Sequence, residues 1–219
     1  TCETVGLLKM DFLGLRTLST IELCKKLIQE TLCEDVIWSS VGKKIGDGSH
    51  PLDLDRINLK DNRVLELFRR GDTSGIFQFE SNGMRRLLKN MQPTRLEDLI
   101  AANALFRPGP MELMGEFCDR KNGRSQVPKV HQIVDGFTEE TYGIMVYQEQ
   151  VMQIVHALGD IPLRDAYTLI KAIGKKKQKV IDANQSMFVK GAVEKGLEEN
   201  FANQLFELIR KFAGYGFNK

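Results

Sequence analysis

The sequence predicts a mainly α-helical protein that begins with a short strand-bearing segment. From Asp61 onward, apolar residues recur at helical spacings of three and four, with short breaks that contain Gly or Pro. Before that region, residues 5–12 form an apolar run of strand length, and Gly14 then turns the chain into a helix. That helix carries apolar side chains at helical offsets, namely Leu18, Ile21, Cys24, Ile28 and Leu32.

Helix-capping residues, together with Gly and Pro, predict where the later helices begin and end. Residues 39–59 are rich in Gly and polar side chains, which favours a loop. Asp61 is expected to cap a helix that ends at Gly71, and Ser81 to cap a helix over residues 84–91. Prolines at 108 and 110 end the next helix. The expected helices from there on cover residues 96–106, 148–158, 163–173, 178–195 and 201–213.

The composition argues against several classes of protein. The chain has 219 residues, 42% of them apolar, and a net charge of only +2, so it can bury a core but is not strongly basic overall. Its four cysteines form no CxxC pair and its three histidines complete no zinc spacing. No signal peptide is visible, and no apolar run approaches the roughly 20 residues of a membrane span. We therefore expect a soluble, cytoplasmic protein that does not contact a membrane.

Positive charge is concentrated in two stretches. Because the lysines around Gly174 have no acid beside them, their mutual repulsion favours a polyanion site over a solubilising turn; they are Lys171, Lys175, Lys176, Lys177 and Lys179. The helix at residues 84–91 separates an apolar face from a basic one formed by Arg85, Arg86 and Lys89. A solvated face and a phosphate-contacting face are both compatible with that second pattern.

Three further residues are candidates for binding. Arg107 stands between an apolar helix end and a rigid Pro-Gly-Pro turn, which suits a guanidinium held toward a fixed anion, although its stem could equally cover the core. Tyr147 and Gln148 follow an apolar run, where an aromatic ring and an amide could stack on and hydrogen-bond a base. A buried tyrosine beside a helix start remains an equal alternative.

One carboxylate stands out near the N-terminus. Asp11 lies between Met10 and Phe12 in a leucine-rich stretch. A buried carboxylate is costly unless it has a partner, a metal or a functional role. The residues alone leave all three explanations of Asp11 open.

Six segments, in this order, resemble the C family of DNA polymerases, the bacterial DNA polymerase III alpha subunits. They are LLKMDFLGLRTL, GIFQFESNGMRRLLK, ALFRPGPM, YGIMVYQEQVM, AIGKKK and KFAGYGFNK. The resemblance implies that residues 1–16 are the C-terminal end of a palm domain of the α/β nucleotidyltransferase type. It implies that residues 17–219 are a helical fingers domain, truncated at its C-terminal end.

The resemblance also assigns roles to individual residues. Asp11 matches the third carboxylate of the family's metal-binding triad, with Lys9 as a charge beside it, and Mg²⁺ would be the cofactor, as two ions in the complete enzyme. Nucleotide binding is implied for Arg107, Lys175, Lys176 and Lys177. DNA binding is implied for Arg85, Arg86, Lys89, Tyr147, Gln148 and Lys219.

The function that the resemblance implies is extension of a primer 3′-hydroxyl with deoxynucleoside triphosphates by two-metal nucleotidyl transfer. The partners would be primer–template DNA, deoxynucleoside triphosphates and, through other regions, further replicase subunits and a sliding clamp. The other two carboxylates of the triad have no counterpart here, so this chain is expected to be inactive alone. The alternative is a non-catalytic helical nucleic-acid-binding module in which Asp11 is structural.

Overall fold

A computed structural model describes residues 5–8, 10, 12, 14–41 and 50–219. The chain divides into two compact units, Thr1–Asn58 and Leu59–Lys219. The described residues are mainly helical, as the sequence predicts. The α-helices are α1 (Arg16–Thr31), α2 (Glu34–Val41), α3 (Asn62–Arg70), α4 (Asn82–Met91), α5 (Leu96–Leu105), α6 (Met114–Lys121), α7 (Gln132–Thr138), α8 (Gln148–Gly159), α9 (Leu163–Gly174), α10 (Gln178–Glu194) and α11 (Glu199–Ala213).

The first unit has little buried surface. Helix α1 has no buried residue, whereas α2 buries Ile37 and Trp38. The Arg56 guanidinium lies 4.2 Å from the centre of the Trp38 ring. The strand expected over residues 5–12 is not found among the described residues of that stretch. The loop expected over residues 39–59 is interrupted by the end of α2 and by a 3-10 turn at Leu54–Arg56.

The caps expected in the second unit are confirmed. The Asp61 side chain accepts a hydrogen bond from the Arg63 N–H, and Gly71 ends α3 in the left-handed conformation with φ of 71°. The Ser81 side chain accepts from the Met84 N–H at the start of α4. The apolar face of α4 is buried as its spacing predicts, through Met84, Leu87, Leu88 and Met91.

The second unit contains two hydrophobic clusters. One gathers side chains from α3 to α6 together with Ile144, Val146 and Tyr147, and its Phe117 and Tyr142 rings pack edge to face at 5.3 Å. The other gathers side chains from α7 to α11, with Phe188 and Phe206 fully buried at its centre. Helices α6 and α7 were not expected from the sequence. Each is short and buries only two residues, so its apolar repeat is weak.

A parallel bridge between Tyr147 and Phe217 brings the last residues of the chain back to the first cluster. The Gln148 N–H donates to the Phe217 carbonyl at 2.9 Å, and the Phe217 N–H donates to the Val146 carbonyl at 3.1 Å. Gly216 is required at this crossing, because a Cβ there would lie 2.7 Å from the Gln148 side chain. Residues 214–219, called the C-terminal segment below, are therefore fixed against the start of α8.

Candidate functional site

The lysine turn, residues 175–177, joins α9 to α10. Its backbone is fixed by three hydrogen bonds to the last turn of α9, which the N–H groups of Lys175, Lys176 and Lys177 donate to the carbonyls of Lys171, Ile173 and Ala172 at 3.0, 3.1 and 2.9 Å. Lys176 has a positive φ of 53°, so the chain reverses sharply at this residue. All three side chains are exposed. The turn thus presents three cations to solvent on a defined backbone.

Interaction with the helix dipoles does not explain why three lysines occupy this turn. Cations at the C-terminal end of α9 are favourable, but the same side chains adjoin the N-terminal end of α10, where cations are unfavourable. The first turn of α10 contains no acidic residue, and its N-cap, Lys177, makes no side-chain capping bond. None of the three lysines forms an ion pair with a described residue. Their positive charge is available to an anionic ligand.

The structure adds residues from α11 to the lysine turn. Arg210 and Lys211 in the last turn of α11 line a cavity of about 420 Å³ together with Lys176 and Tyr215, and we call it the basic cavity. Sequence analysis did not group these residues, because Arg210 and Lys211 are separated from the lysine turn by the whole of α10 and most of α11. The only local signal was the position of both cations just before the GYGFNK sequence.

Arg107 is held in place by backbone carbonyl groups. Its Nε donates to the Ala104 carbonyl at 3.1 Å and its Nη2 to the Tyr215 carbonyl at 2.8 Å. The guanidinium carbon lies 4.9 Å from the centre of the Phe217 ring. The adjoining Gly109 has φ of 103°, and a Cβ there would lie 2.6 Å from the Tyr215 ring. The guanidinium is therefore held in place, and its observed partners are the Ala104 carbonyl of α5 and, in the C-terminal segment, the Tyr215 carbonyl and the Phe217 ring.

Tyr147 is buried, with 2% of its surface exposed, and its hydroxyl has no hydrogen-bond partner among the described residues. Burial raises the pKa of this phenol above its usual value. The neighbouring Gln148 is half-buried beside Gly216. Lys219 lies against the same tyrosine, with its Nζ 5.3 Å from the ring centre and 2.5 Å from a Glu140 carboxylate oxygen. In this structure the Tyr147 ring is covered, and its contact with a base stays a prediction.

The basic face of α4 is only partly free. Arg85 is half-buried and its Nη2 donates to the Ser74 hydroxyl at 2.8 Å. Arg86 and Lys89 are exposed. The Lys89 stem lies over Gly71, where a Cβ would meet it at 2.8 Å. Neither Arg86 nor Lys89 forms a side-chain hydrogen bond or an ion pair with a described residue.

Lys9 and Asp11, the residues of the predicted metal site, lie outside the described residues. In the part of the chain that the structure describes, no three His, Cys, Asp or Glu side chains gather in a way that could hold a metal ion. Within the same part, no helix is long and apolar enough to cross a membrane.

Comparisons with known proteins confirm the family that the sequence segments resemble. A family model described as "Bacterial DNA polymerase III alpha subunit finger domain" matches residues 17–196. DNA polymerase III subunit alpha of Bacillus subtilis (strain 168) is 42% identical over 217 residues, which cover 99% of this chain and 18% of that protein. The Escherichia coli (strain K12) protein of the same name is 41% identical over 224 residues, with the same coverage.

The Thermus aquaticus DNA polymerase III subunit alpha is also similar, at 41% identity over 222 residues, which cover 99% of this chain and 17% of the relative. The chain therefore spans less than a fifth of the length of each of these relatives. Both the match to the finger domain and the identity along almost the whole chain lead to one assignment. This chain belongs to the family of bacterial DNA polymerase III alpha subunits, of which it contains the finger domain.

Proposed function

We propose that this chain is the nucleotide- and template-contacting part of a replicative DNA polymerase that extends a primer 3′-hydroxyl in the cytoplasm. The single observation that carries the proposal is the lysine turn, three exposed cations on a fixed backbone without ion pairs among the described residues. Such charges lower the energy of a polyphosphate or of a nucleic-acid backbone, because lysine acts as a point charge toward phosphate. The relatives named DNA polymerase III subunit alpha support a polymerase rather than a passive module.

The same proposal assigns a role to each part of the chain. Residues 1–16 end a palm domain of the nucleotidyltransferase type, with Asp11 as a metal ligand and Lys9 beside it, and residues 17–219 are the fingers. When bound, two Mg²⁺ ions would activate the primer hydroxyl and stabilise the charge that develops on the phosphates. The lysine turn and Arg107 would hold the incoming triphosphate. Arg85, Arg86, Lys89, Tyr147, Gln148 and Lys219 would contact the primer–template.

Partners follow from the proposed reaction. Primer–template DNA and deoxynucleoside triphosphates are the substrates, and other replicase subunits and a sliding clamp would bind the remainder of the polymerase. Since this chain supplies one of the carboxylates that two metal ions require, we propose that it does not polymerise alone.

Replacing Lys175, Lys176 and Lys177 with Ala in the full-length polymerase is expected to weaken primer–template or nucleotide binding while leaving the fold intact. The three side chains are exposed, so their removal takes no contact from the buried Leu169, Ile170 and Ile181. Each lost phosphate contact should reduce the slope of log affinity against log salt by roughly one unit for duplex DNA. The measurement is a salt titration of DNA binding, together with nucleotide KM.

The matched control removes three exposed cations elsewhere, Lys129, Arg164 and Lys190, so that the net charge changes equally. This control should leave the salt slope close to that of the wild type. Weakened binding with an unchanged slope in the lysine-turn variant would argue against direct phosphate contact, and unchanged DNA and nucleotide binding would refute the assignment.

Arg107→Ala is expected to raise the nucleotide KM by about tenfold in the full-length polymerase, with a much smaller change in primer–template affinity, because one rigid guanidinium suits one fixed anion. The loss of two hydrogen bonds to carbonyls should also lower the free energy of unfolding, by about 1–3 kcal/mol. Steady-state kinetics and urea unfolding separate these effects. If stability falls while KM and kcat stay at wild-type values, Arg107 serves only to fix the C-terminal segment.

A further inference from the structure

One buried polar side chain, Gln150, has no role in the proposed function. It belongs to the first turn of α8 and has 5% of its surface exposed. Removing an amide from water costs free energy unless its donors and acceptors find partners inside the protein. The hydrogen bonds of Gln150 therefore show which parts of the chain this residue holds.

All the hydrogen-bonding positions of the Gln150 amide are occupied. Its Oε1 accepts from the Val146 and Tyr147 N–H groups at 2.8 and 2.9 Å. Its Nε2 donates to the Phe137 carbonyl at 3.1 Å and to the Thr141 hydroxyl at 2.7 Å. Because backbone N–H groups can only donate and the Phe137 carbonyl can only accept, the partners fix the orientation of the amide. The side chain thus connects α8 to three parts of the chain that precede it.

These bonds fix the backbone that leads into α8. The first N–H groups of a helix have no intrahelical partner, and a side chain at the third helical position can accept from the N-cap N–H. Gln150 does so for Tyr147, the N-cap of α8, and the same oxygen also accepts from Val146 outside the helix. Since two adjacent N–H groups share one acceptor, the Tyr147 backbone cannot turn without breaking a buried hydrogen bond.

The same backbone holds the C-terminal segment. The Val146 carbonyl accepts from the Phe217 N–H at 3.1 Å, so Val146 contacts Gln150 through its N–H and Phe217 through its carbonyl. Two residues further along, the Lys219 Nζ lies 5.3 Å from the centre of the Tyr147 ring. A shift of Val146 would therefore move the tyrosine ring and the lysine relative to each other.

We propose that Gln150 is a positioning residue, whose buried amide aligns Tyr147 with the C-terminal segment so that Tyr147 and Lys219 meet the primer–template together. The inference rests on the proposed function, from which it takes the roles of those two residues. An apolar side chain at position 150 would fill similar space but would leave two N–H groups and a carbonyl unpaired, and the backbone would shift to pair them. A displacement of about 1 Å at a functional group can lower a rate by about 10²-fold.

The position of Tyr147 is measured in the 219-residue chain with 3-fluorotyrosine incorporated, where ¹⁹F NMR reports on each of the four tyrosines. Tyr147→Phe identifies the signal of that residue. Gln150→Leu should shift or split this signal, because the backbone that carries the ring loses its acceptor. The matched control is Leu158→Ala, which removes buried packing from the same helix in the second hydrophobic cluster. It should leave the Tyr147 signal in place.

Function is measured in the full-length polymerase, at a temperature at which circular dichroism shows each variant to be folded. Gln150→Leu should lower kcat for primer extension by about tenfold or more and change the nucleotide KM by less than about threefold, because the lysine turn is not altered. Leu158→Ala should keep the wild-type kcat although its urea midpoint falls. A residue that only stabilises the fold would give the result of Leu158→Ala at both positions.

A second pair of variants decides the test if Gln150→Leu does not fold. Thr141→Val removes the hydroxyl that accepts from the Gln150 Nε2 at 2.7 Å, so the amide is less firmly oriented. It should change the Tyr147 signal and lower kcat in the same direction, by a smaller factor. Thr141→Ser keeps the hydroxyl and should restore the wild-type signal and kcat.

The outcomes separate this inference from the proposed function. The inference fails alone if Tyr147→Ala slows primer extension but the folded Gln150 and Thr141 variants keep the Tyr147 signal in place. It also fails alone if those variants lose stability while their kcat stays within about twofold of the wild type. If Tyr147→Ala and Lys219→Ala both extend primers at the wild-type rate, the roles proposed for these two residues fail, and the inference fails with them.

Discussion

Asp11→Asn in the full-length polymerase is expected to reduce primer extension by roughly 10³-fold or more while DNA binding and thermal stability stay close to wild type. A metal-ligating carboxylate contributes several kcal/mol of transition-state stabilisation through the ion that it holds, and each 1.36 kcal/mol corresponds to tenfold in rate. An amide has the same shape but no negative charge, so the metal would bind weakly. The basic residues that we propose to contact DNA are not changed by this substitution. The measurement is primer extension at saturating Mg²⁺, with DNA affinity determined separately.

The matched control is Glu22→Gln, which removes an exposed carboxylate from α1 whose only ion pair among the described residues is with Lys25, at 2.9 Å. It should extend primers at the wild-type rate, because a surface ion pair of this kind contributes at most about 1 kcal/mol to stability. Extension by Asp11→Asn within tenfold of the wild type would show that Asp11 is a structural residue. That outcome would favour the alternative of a non-catalytic nucleic-acid-binding module.

Local chemistry made much of the fold predictable. The caps Asp61 and Ser81 and the left-handed Gly71 were recognisable because each satisfies backbone groups within a few residues of itself. The buried face of α4 followed from spacing alone. Helices α6 and α7 were missed for the opposite reason. Phe117 and Val134 are buried through tertiary packing, and their short helices lack a repeat long enough to detect.

The candidate site was predictable only where it is continuous in sequence. The lysine turn is a run of like charges, so its sequence sufficed to identify it. The basic cavity needs α11 to pack beside α9, and no local pattern relates Lys211 to Lys176. One hydrogen-bond partner of Arg107 is the Tyr215 backbone carbonyl, 108 positions away, and because every residue has a backbone carbonyl, the residue type does not indicate this contact. Long-range contacts of this kind have to be read from the fold.

Gly191→Val is expected to lower the free energy of unfolding of the 219-residue chain by about 3 kcal/mol or more, because it separates two helices that touch through their backbones. A Cβ at Gly191 in α10 would lie 2.6 Å from the Gly159 carbonyl oxygen and 3.0 Å from the Gly159 Cα. Both atoms belong to the backbone of α8, so no side-chain rotation can relieve the clash. Urea unfolding followed by circular dichroism measures the change.

The contact between α8 and α10 also positions the fully buried Phe188, because a Cβ at Gly159 would lie 2.6 Å from that ring. Moving α10 away from α8 would open a gap beside Phe188 and Phe206, and the lost packing adds to the cost of the clash. Gly136→Ala is the matched control, since no atom lies within 4 Å of the Cβ that it adds to α7. That variant should be neutral or more stable by up to about 1 kcal/mol, because alanine favours the helix. Equal unfolding midpoints for Gly191→Val and Gly136→Ala would mean that α8 and α10 do not meet at these glycines, and the second hydrophobic cluster would then need a different packing.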